Sequence, residues 1–244
     1  MSALTDLAAA HVGRPLVFAG LCALAFVPLE HLAPAHAARR TSWSMDLAFA
    51  TAGQVVTHLL LAVVAAGVLA ELDAWSVERP LLSRLGGGRP AFVATVVVGL
   101  LLFDLGGYLY HRAAHTVPWL WRLHALHHTS EQMDWLASFR QHPIEILLLT
   151  LCQNAPLVLL GVPLGAHATA LALLKLTTVF VHANLRLPAS PLQRLLATPR
   201  FHHRHHQRGG PGRNFAALFP AIDLLFGTFS AEQSREFGLA HHAP

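Results

Sequence analysis

Long apolar segments are the feature that most constrains how this chain can fold. A helix needs about 20 mostly apolar residues to cross the hydrocarbon core of a bilayer. Residues 15–29, 47–70 and 91–110 approach or reach that length with few charged side chains. The third segment is rich in β-branched residues, but a backbone inside lipid must bond its own polar groups, so a helix is still expected. The sequence therefore predicts three membrane spans.

A fourth apolar region, residues 144–181, is divided by a turn signal. Gly161, Pro163 and Gly165 lie near its midpoint, with about 17 apolar residues on either side, at the short end of the spanning range. This pattern predicts a helical hairpin that crosses the bilayer and returns. The histidines before residue 144 and after residue 181 would then face the same compartment.

The arginines indicate which compartment that is. Cytosolic loops of membrane proteins are enriched in Lys and Arg. Arg39 and Arg40 lie between the first two spans and most other arginines follow the third, whereas residues 71–89 mix acidic and basic side chains. We therefore expect a multi-pass membrane protein with its histidine-rich segments in the cytosol, its N-terminus outside and its C-terminus inside.

The overall charge does not indicate a nucleic-acid partner. The formal net charge is +4, but 54% of the residues are hydrophobic and only 12% are charged, against about 25% charged in soluble domains. Cys22 and Cys152 both lie in apolar segments, so neither a disulfide framework nor a thiolate metal site is indicated. We expect an all-α, polytopic membrane domain of about three spans plus a hairpin, capped on the cytosolic side by histidine-rich helices.

Histidine spacing carries the functional signal. Twelve of the 18 histidines lie between residues 111 and 206. They include one HxxxH box and two HxxHH boxes, whose spaced members are His111 and His115, then His124, His127 and His128, then His202, His205 and His206. Helix residues at i, i+3 and i+4 share a face, and imidazole is a common ligand of Fe, Zn, Cu and Ni. Eight such ligands suit two metal ions and are too many for one.

The boxes are also informative in what they lack. A zinc protease would show HExxH, and soluble di-iron bundles use ExxH with further carboxylates, whereas these boxes contain no carboxylate. Two metal ions held by imidazole alone favour redox chemistry with O₂ over hydrolysis. Two alternatives stay open: a zinc-dependent membrane hydrolase or isomerase using the same boxes, and a metal carrier. A carrier would place its ligands inside the spans, where only His58 lies.

The motifs resemble those of the fatty acid hydroxylase and sterol desaturase superfamily. The similarity runs from Asp104 to about Phe229, about half of the chain, and includes the three boxes in order, Arg140-Gln-His142-Pro143, His182-Ala-Asn184 and Asn214-Phe215. It implies that the eight box histidines are metal ligands and that His142 and His182 complete the two coordination spheres. Together with the apolar segments, it leads us to expect N-terminal membrane helices in residues 1–90, a hydroxylase-like catalytic domain in residues 91–230 and a C-terminal tail in residues 231–244.

The resemblance further implies two iron ions, O₂ as the oxidant and a lipid substrate, such as a fatty acyl lipid or sterol-like molecule, that is hydroxylated or desaturated. Zinc is an expected substitute in purified protein, and a bacterial inner membrane is the expected location. Electrons would come from a separate ferredoxin or cytochrome b5 with its reductase, because no His-Pro-Gly-Gly haem motif is present. Asn214-Phe215-Ala216 departs from the Asn-Tyr-Gly of many members, which bears on the substrate.

Four polar residues are predicted to support the ligands. We expect Asp104 either to orient a first-box imidazole or to act as a helix cap or snorkelling side chain, and Glu145 to orient His142, as carboxylates beside metal-binding histidines often do. Asn184 and Asn214 are expected to bond a metal-bound water or a ligand ring. The arginines around the last box are expected either to form a basic surface for an acidic electron donor or to face lipid headgroups as ordinary positive-inside residues; they are Arg200, Arg204, Arg208 and Arg213.

Overall fold

The computed structural model describes residues 12–37, 43–63, 88–188, 190–210, 212–234 and 236–239. Within these ranges the fold is helical, and the only β-type pairing is two isolated bridges. The helices are α1 (Arg14–Leu32), α2 (Trp43–Val63), α3 (Arg89–Thr116), α4 (Pro118–His128), α5 (Pro143–Leu159), α6 (Leu164–His182), α7 (Pro199–His205) and α8 (Pro220–Leu225). Arg39, Arg40, the end of the second predicted span and residues 71–87 of the predicted external loop lie outside the described residues.

Three of these helices, α1, α2 and α3, are long and apolar enough to cross a membrane. Their outward side chains are large and apolar; Leu24 on α1 is 77% exposed and Val63 on α2 is 80% exposed. Such surfaces are expected to face lipid, because in water they would cost free energy. The predicted all-α membrane fold is therefore confirmed.

Helix α3 is longer than its apolar segment. Its 28 residues rise about 42 Å, against a hydrocarbon core of about 30 Å. The helix continues past the predicted end at residue 110 because the polar side chains that follow do not interrupt its backbone bonding. His111 and His115 therefore stand on the projecting end of α3.

The predicted hairpin consists of α5 and α6. The turn between them closes in a Schellman motif, in which the Val162 N–H donates to the Leu157 carbonyl at 3.0 Å and Gly161 adopts φ +67°. Glycine takes this left-handed conformation without steric cost, which explains the turn signal in the sequence. Helix α5 therefore begins and helix α6 ends at the same end of the molecule, where α6 finishes at His182.

Helix α3 lies at the centre and packs against α4, α5 and α6. Its closest approach is to α5, where a Cβ on Gly106 would lie 2.4 Å from the Cys152 carbonyl oxygen. The two backbones can approach this closely only because residue 106 has no side chain. The core beside this contact is apolar and includes Phe103, Leu157 and Ala170.

The C-terminal end of α1 is fixed to the same end of the bundle by a buried carboxylate. Glu30 accepts backbone N–H groups from Trp135 at 2.7 Å and Asn184 at 2.9 Å. Through this residue, α1 holds the loop before α5 and the segment after α6. The loops around the histidines are thereby fastened to the membrane helices.

Candidate metal centre

Nine histidines converge in two adjacent sets at the end of the bundle. The first set is His111, His115, His124, His128 and His205, and the second is His127, His182, His202 and His206. Within each set the potential ligand atoms lie within 4.8 Å of one another. Each set is therefore compact enough to hold a single metal ion.

The boxes do not map one to one onto the sets. Pairs at i and i+4 stay together: His111 with His115, His124 with His128, and His202 with His206. The intervening His127 and His205 each join the opposite set. The helices α4 and α7 thus contribute to both sets, because residues three positions apart diverge enough around a helix to point to neighbouring centres.

The ring nitrogens are arranged for metal binding. In the first set the Nε2 atoms of His111, His115 and His128 each lie 3.1 Å from Nε2 of His124. In the second set Nε2 of His182 lies 3.0 Å from that of His127 and 3.1 Å from that of His202. Nitrogen ligands about 2.1 Å from one ion have this kind of separation.

The opposite ring nitrogens fix the tautomers. Nδ1 donates to a backbone carbonyl in His111 (Phe215, 2.8 Å), His127 (Arg140, 3.2 Å), His182 (Thr178, 2.7 Å) and His205 (Arg213, 2.8 Å). A carbonyl only accepts, so the proton is on Nδ1 and the clustered Nε2 atoms present lone pairs to one another. A cation between them removes this repulsion, and the residues present therefore fit a metal ion in each set.

Burial keeps these imidazoles neutral. It lowers the pKa of His127 to about 4 and lowers the pKa of His124 and His128 well below the usual range, where neighbouring histidines add to the effect. The α7 members show the same direction for the same reasons. At neutral pH these rings are unprotonated, as ligation requires.

Glu145 supports the first set. One of its carboxylate oxygens accepts the Nδ1 proton of His124, and both groups are buried. A carboxylate behind a ligand histidine fixes its orientation and increases its basicity. The sequence led us to expect that Glu145 orients His142. In the structure Glu145 orients His124 instead.

Asp104 acts through a loop and does not contact an imidazole directly. Its fully buried carboxylate accepts the N–H groups of Ala217, Leu218 and Phe219 at 2.5–3.1 Å. Asp223 accepts the N–H groups of Phe215 and Ala216, at 2.9 Å each. Five consecutive N–H groups of the 215–219 loop are thus held by two carboxylates, which places the Phe215 carbonyl where it receives the His111 proton.

Asn184 and Asn214 also hold backbone, and neither side chain points into a histidine set. Asn184 accepts from the N–H groups of Ala35 and His36 at 3.0 and 2.9 Å, which fixes the chain after α1. Asn214 donates to the carbonyls of Phe201 and Ser230 and adopts φ +59°. Both expected contacts, with a metal-bound water or a ligand ring, are replaced by these backbone bonds.

Two other histidines of the region stand outside both sets. His142 is partly exposed, and its Nδ1 accepts the N–H of Ile144 as the N-cap of α5, so the structure does not bring it to the site with the other predicted ligands. His203 is buried, with its Nδ1 3.2 Å from Nε2 of His36. It lies between ligand positions on α7 and faces away from them.

Two residues that contact the histidine sets, Trp121 and Arg140, were not predicted to support them. The Trp121 ring lies 5.1 Å from His115 and 5.6 Å from His128, measured between centroids. Its spacing from the second box, one turn earlier on the same face of α4, is the signal that could have identified it. Arg140, whose carbonyl receives the His127 proton, forms a buried ion pair with Asp46 of α2 at 2.6 Å. No local sequence pattern links Arg140 with Asp46, because the two residues are far apart in the sequence.

The arginines around the last box do not all reach the surface. Arg204 is buried and forms an ion pair with Glu232 at 2.7 Å. Arg200 is exposed, whereas Arg208 and Arg213 are partly buried. Arg204 therefore has to be removed from the expected basic surface.

A cavity of about 80 Å³ adjoins the histidines. Its polar lining includes His124, His202 and Glu145, and its apolar lining includes Leu149 and Phe215. The Tyr110 hydroxyl and the second carboxylate oxygen of Glu145 are buried here, and neither has a hydrogen-bond partner in the described part of the chain. The cavity therefore offers both an apolar wall and polar positions beside the metal centre; we call it the site cavity.

Comparisons with known proteins match this region. A family model described as fatty acid hydroxylase matches residues 96–228. Ornithine lipid hydroxylase OlsE of Rhizobium tropici is 34% identical over 136 residues, covering 55% of this chain and 41% of that protein. Alkylglycerol monooxygenase of Homo sapiens is 33% identical over 141 residues, covering 57% and 31%. Very-long-chain aldehyde decarbonylase GL1-8 of Oryza sativa subsp. indica is 35% identical over 146 residues, covering 55% and 53%.

The similarity is confined to part of each relative. The aligned region covers less than half of the first two relatives and about half of the third. No solved structure matches the chain significantly. The matched residues nevertheless make up more than half of this chain and contain both histidine sets. With its boxes, its helical membrane fold and this match, the chain belongs to the fatty acid hydroxylase family.

Proposed function

We propose that this chain is a membrane-bound, O₂-dependent di-iron enzyme that hydroxylates a C–H bond of a lipid or desaturates it. The observation that carries the proposal is the pair of adjacent all-imidazole sets, whose Nδ1 protons are held by the backbone. Neither set includes a carboxylate among the described residues. Metal pairs of this kind are suited to redox chemistry, and the relatives named as hydroxylase and monooxygenase support that class.

In this proposal the first set holds one iron ion and the second set holds the other. Bound iron would supply the activation of O₂ and the transfer of electrons to it. Zinc is expected in some preparations, because imidazole sites accept either metal. The neutral, oriented imidazoles keep the two ions in place, and Glu145 and the 215–219 loop hold two of the rings.

The remaining lining would position the substrate. Leu149, Val181 and Phe215 give the site cavity apolar walls that exclude water from a reacting C–H bond. The Tyr110 hydroxyl and the second oxygen of Glu145 are available to bond a polar group or to hold a proton. Residues 91–230 would form the catalytic unit, and α1 and α2 would support it through Glu30 and Asp46.

We propose a membrane lipid as the substrate class. The printed names of the relatives refer to an ornithine lipid, an alkylglycerol and a very-long-chain aldehyde. A lipid would enter sideways from the bilayer, so no aqueous route is required. In hydroxylation one oxygen atom of O₂ is inserted into the C–H bond. The other oxygen atom is reduced to water by two electrons and two protons. A ferredoxin or cytochrome b5 with its reductase would supply the electrons, docking on the basic side near Arg200.

The proposed orientation places both histidine sets in the cytosol. It can be tested by cysteine labelling in a background that lacks Cys22 and Cys152. Glu131 and Gln233 are exposed at the histidine end, and Pro163 is exposed at the hairpin turn. An impermeant reagent should label Pro163→Cys in intact cells and should label Glu131→Cys and Gln233→Cys only after lysis. Labelling of Glu131→Cys in intact cells would contradict the orientation.

The reaction class is tested by comparing two neighbouring histidines of α7. His202 belongs to the second set, whereas His203 is equally buried but outside both sets. Wild-type membranes supplied with a reductase system should oxidise a lipid only in O₂, with an atom from ¹⁸O₂ in an alcohol product. His202→Ala should lose this activity and one metal ion per chain, and His203→Ala should retain two ions.

Turnover that continues without O₂ would contradict the oxygenase proposal and favour a zinc hydrolase. Equal metal loss in the two variants would contradict the assignment of the second set. Thermal unfolding of each variant in detergent controls for general loss of structure.

A further inference from the structure

A second cavity adjoins the site cavity. It has a volume of about 320 Å³ and is lined by residues of α1, α2, α5 and α6. Gln141, Leu149, Gln153 and Thr178 line both cavities. The two cavities therefore meet at these four residues, and a chain-like molecule that extends from the second cavity past them would point towards the histidines.

The sole lysine of the chain, Lys175, lines this second cavity. It stands within the apolar helix α6, between Leu174 and Leu176, and its side chain is exposed. Within the described ranges no carboxylate forms a salt bridge with it. A cation in an apolar membrane helix is costly, and such residues usually serve a ligand or a transport path.

The rest of the lining complements an anion. Arg14, at the start of α1, faces the same cavity, and Gln54 and Thr150 add neutral polar groups. Neither Asp nor Glu is among the lining residues of this cavity. The other walls combine apolar side chains, such as Phe139 and Leu171, with further uncharged polar groups, such as Ser138 and Asn154. Two cationic side chains with no acidic residue in the lining, between apolar walls, form an environment suited to the anionic end of an amphiphile.

We propose that the second cavity binds the oxyanionic end of a membrane lipid, a carboxylate or a phosphate, paired with Lys175. Its alkyl part would pass Leu149 and Gln153 into the site cavity. Lys175 precedes His182 by seven residues on α6, a rise of about 10 Å. The carbon presented to the histidines would thus lie roughly 10 Å or more from the anionic group. The oxidation of that carbon rests on the proposed function, whereas the binding does not.

Equilibrium binding tests the inference without requiring turnover. The probes are radiolabelled palmitate, hexadecyl phosphate and hexadecanol, offered to purified full-length protein in phosphatidylcholine nanodiscs. A hydrogen bond to a charged group contributes about 1.5–3 kcal/mol, so Lys175→Met should weaken binding of a charged probe at least about tenfold. Lys175→Arg should retain that binding, and hexadecanol should bind all forms alike. Leu176→Met is the matched control, because Leu176 lies on the same helix and outside the cavity.

Each outcome decides one point. A Lys175-dependent preference for palmitate assigns a carboxylate, and one for hexadecyl phosphate assigns a phosphate. In wild-type protein, which requires no folding control, hexadecanol that competes as well as both charged probes would overturn the inference. Charge-selective binding without O₂-dependent turnover would contradict only the proposed function. O₂-dependent turnover with unselective binding would contradict only the lysine site.

Discussion

Replacing Asp104 should destabilise the protein and weaken the first histidine set together. The carboxylate is fully buried and accepts three backbone N–H groups of the 215–219 loop. In Asp104→Ala these donors remain buried without an acceptor. Each such loss costs about 1–3 kcal/mol. Because water can relieve part of that cost, we expect a total of about 3–5 kcal/mol and a lower unfolding temperature, by about 10 °C.

The metal effect follows from the connection between the loop and His111. The Phe215 carbonyl accepts the His111 proton at 2.8 Å, so a displaced loop releases that ring. Loss of a group that orients a ligand typically weakens metal binding about 10–100-fold. Asp104→Asn should show an intermediate effect, because its amide presents one acceptor oxygen and one donor to the same N–H groups.

The assay combines thermal unfolding in detergent with metal content after dialysis against a graded chelator. Leu105→Ala is the control, because Leu105 is the adjacent residue on α3 and is 37% exposed. It should change neither measurement appreciably. If Asp104→Ala unfolds within about 2 °C of wild type and keeps its metal, the 215–219 loop is not held as described.

Three further predictions follow from the packing and the histidine sets. Gly106→Ala should lower the free energy of unfolding by about 1–3 kcal/mol, because the added Cβ would overlap the Cys152 carbonyl oxygen. Gly99→Ala should leave thermal unfolding in detergent unchanged, because its added Cβ would lie 3.4 Å from the Ala170 Cβ, an ordinary contact distance. His182→Ala should lose metal measured by elemental analysis, whereas His142→Ala should not, and equal loss would place His142 in a set. Metal-free protein should lose stability as the pH falls from about 6.5 towards 4. In the folded state the pKa of His127 is lowered to about 4, whereas in the unfolded state it is about 6.5. The unfolded state therefore binds the proton first. At pH 5 this residue alone should cost about 2 kcal/mol relative to pH 7, and an unfolding temperature unchanged between pH 7 and pH 5 would contradict its burial in neutral form.

The sequence is sufficient to predict the apolar helices and the convergence of the box histidines. Apolar length specifies α1, α3 and the hairpin, because only a helix satisfies the backbone in lipid. The i and i+4 pairs follow from helix geometry, since such residues share a face. The separation of His127 from His124 does not follow, because that division depends on which neighbouring helix lies opposite each ring.

The supporting contacts could not be predicted from local patterns. Asp104 and Glu145 are recognisable as polar residues near apolar segments, but their partners are set by the tertiary fold. Asp104 bonds backbone N–H groups more than 100 positions away, and no spacing rule relates them. His142 and His182 look alike in the sequence, yet only His182 ends a helix that points at the site.

The position of α7 has a consequence for how the two ions are acquired. This seven-residue helix and its C-cap residue, His206, bring His205 into the first set and His202 and His206 into the second. Because one short segment carries ligands of both sets, ordering this segment for one set also orders it for the other. Filling either set should therefore lower the entropic cost of ordering the other. Titration of metal-free protein should accordingly proceed from empty to doubly loaded chains with little singly loaded species between them.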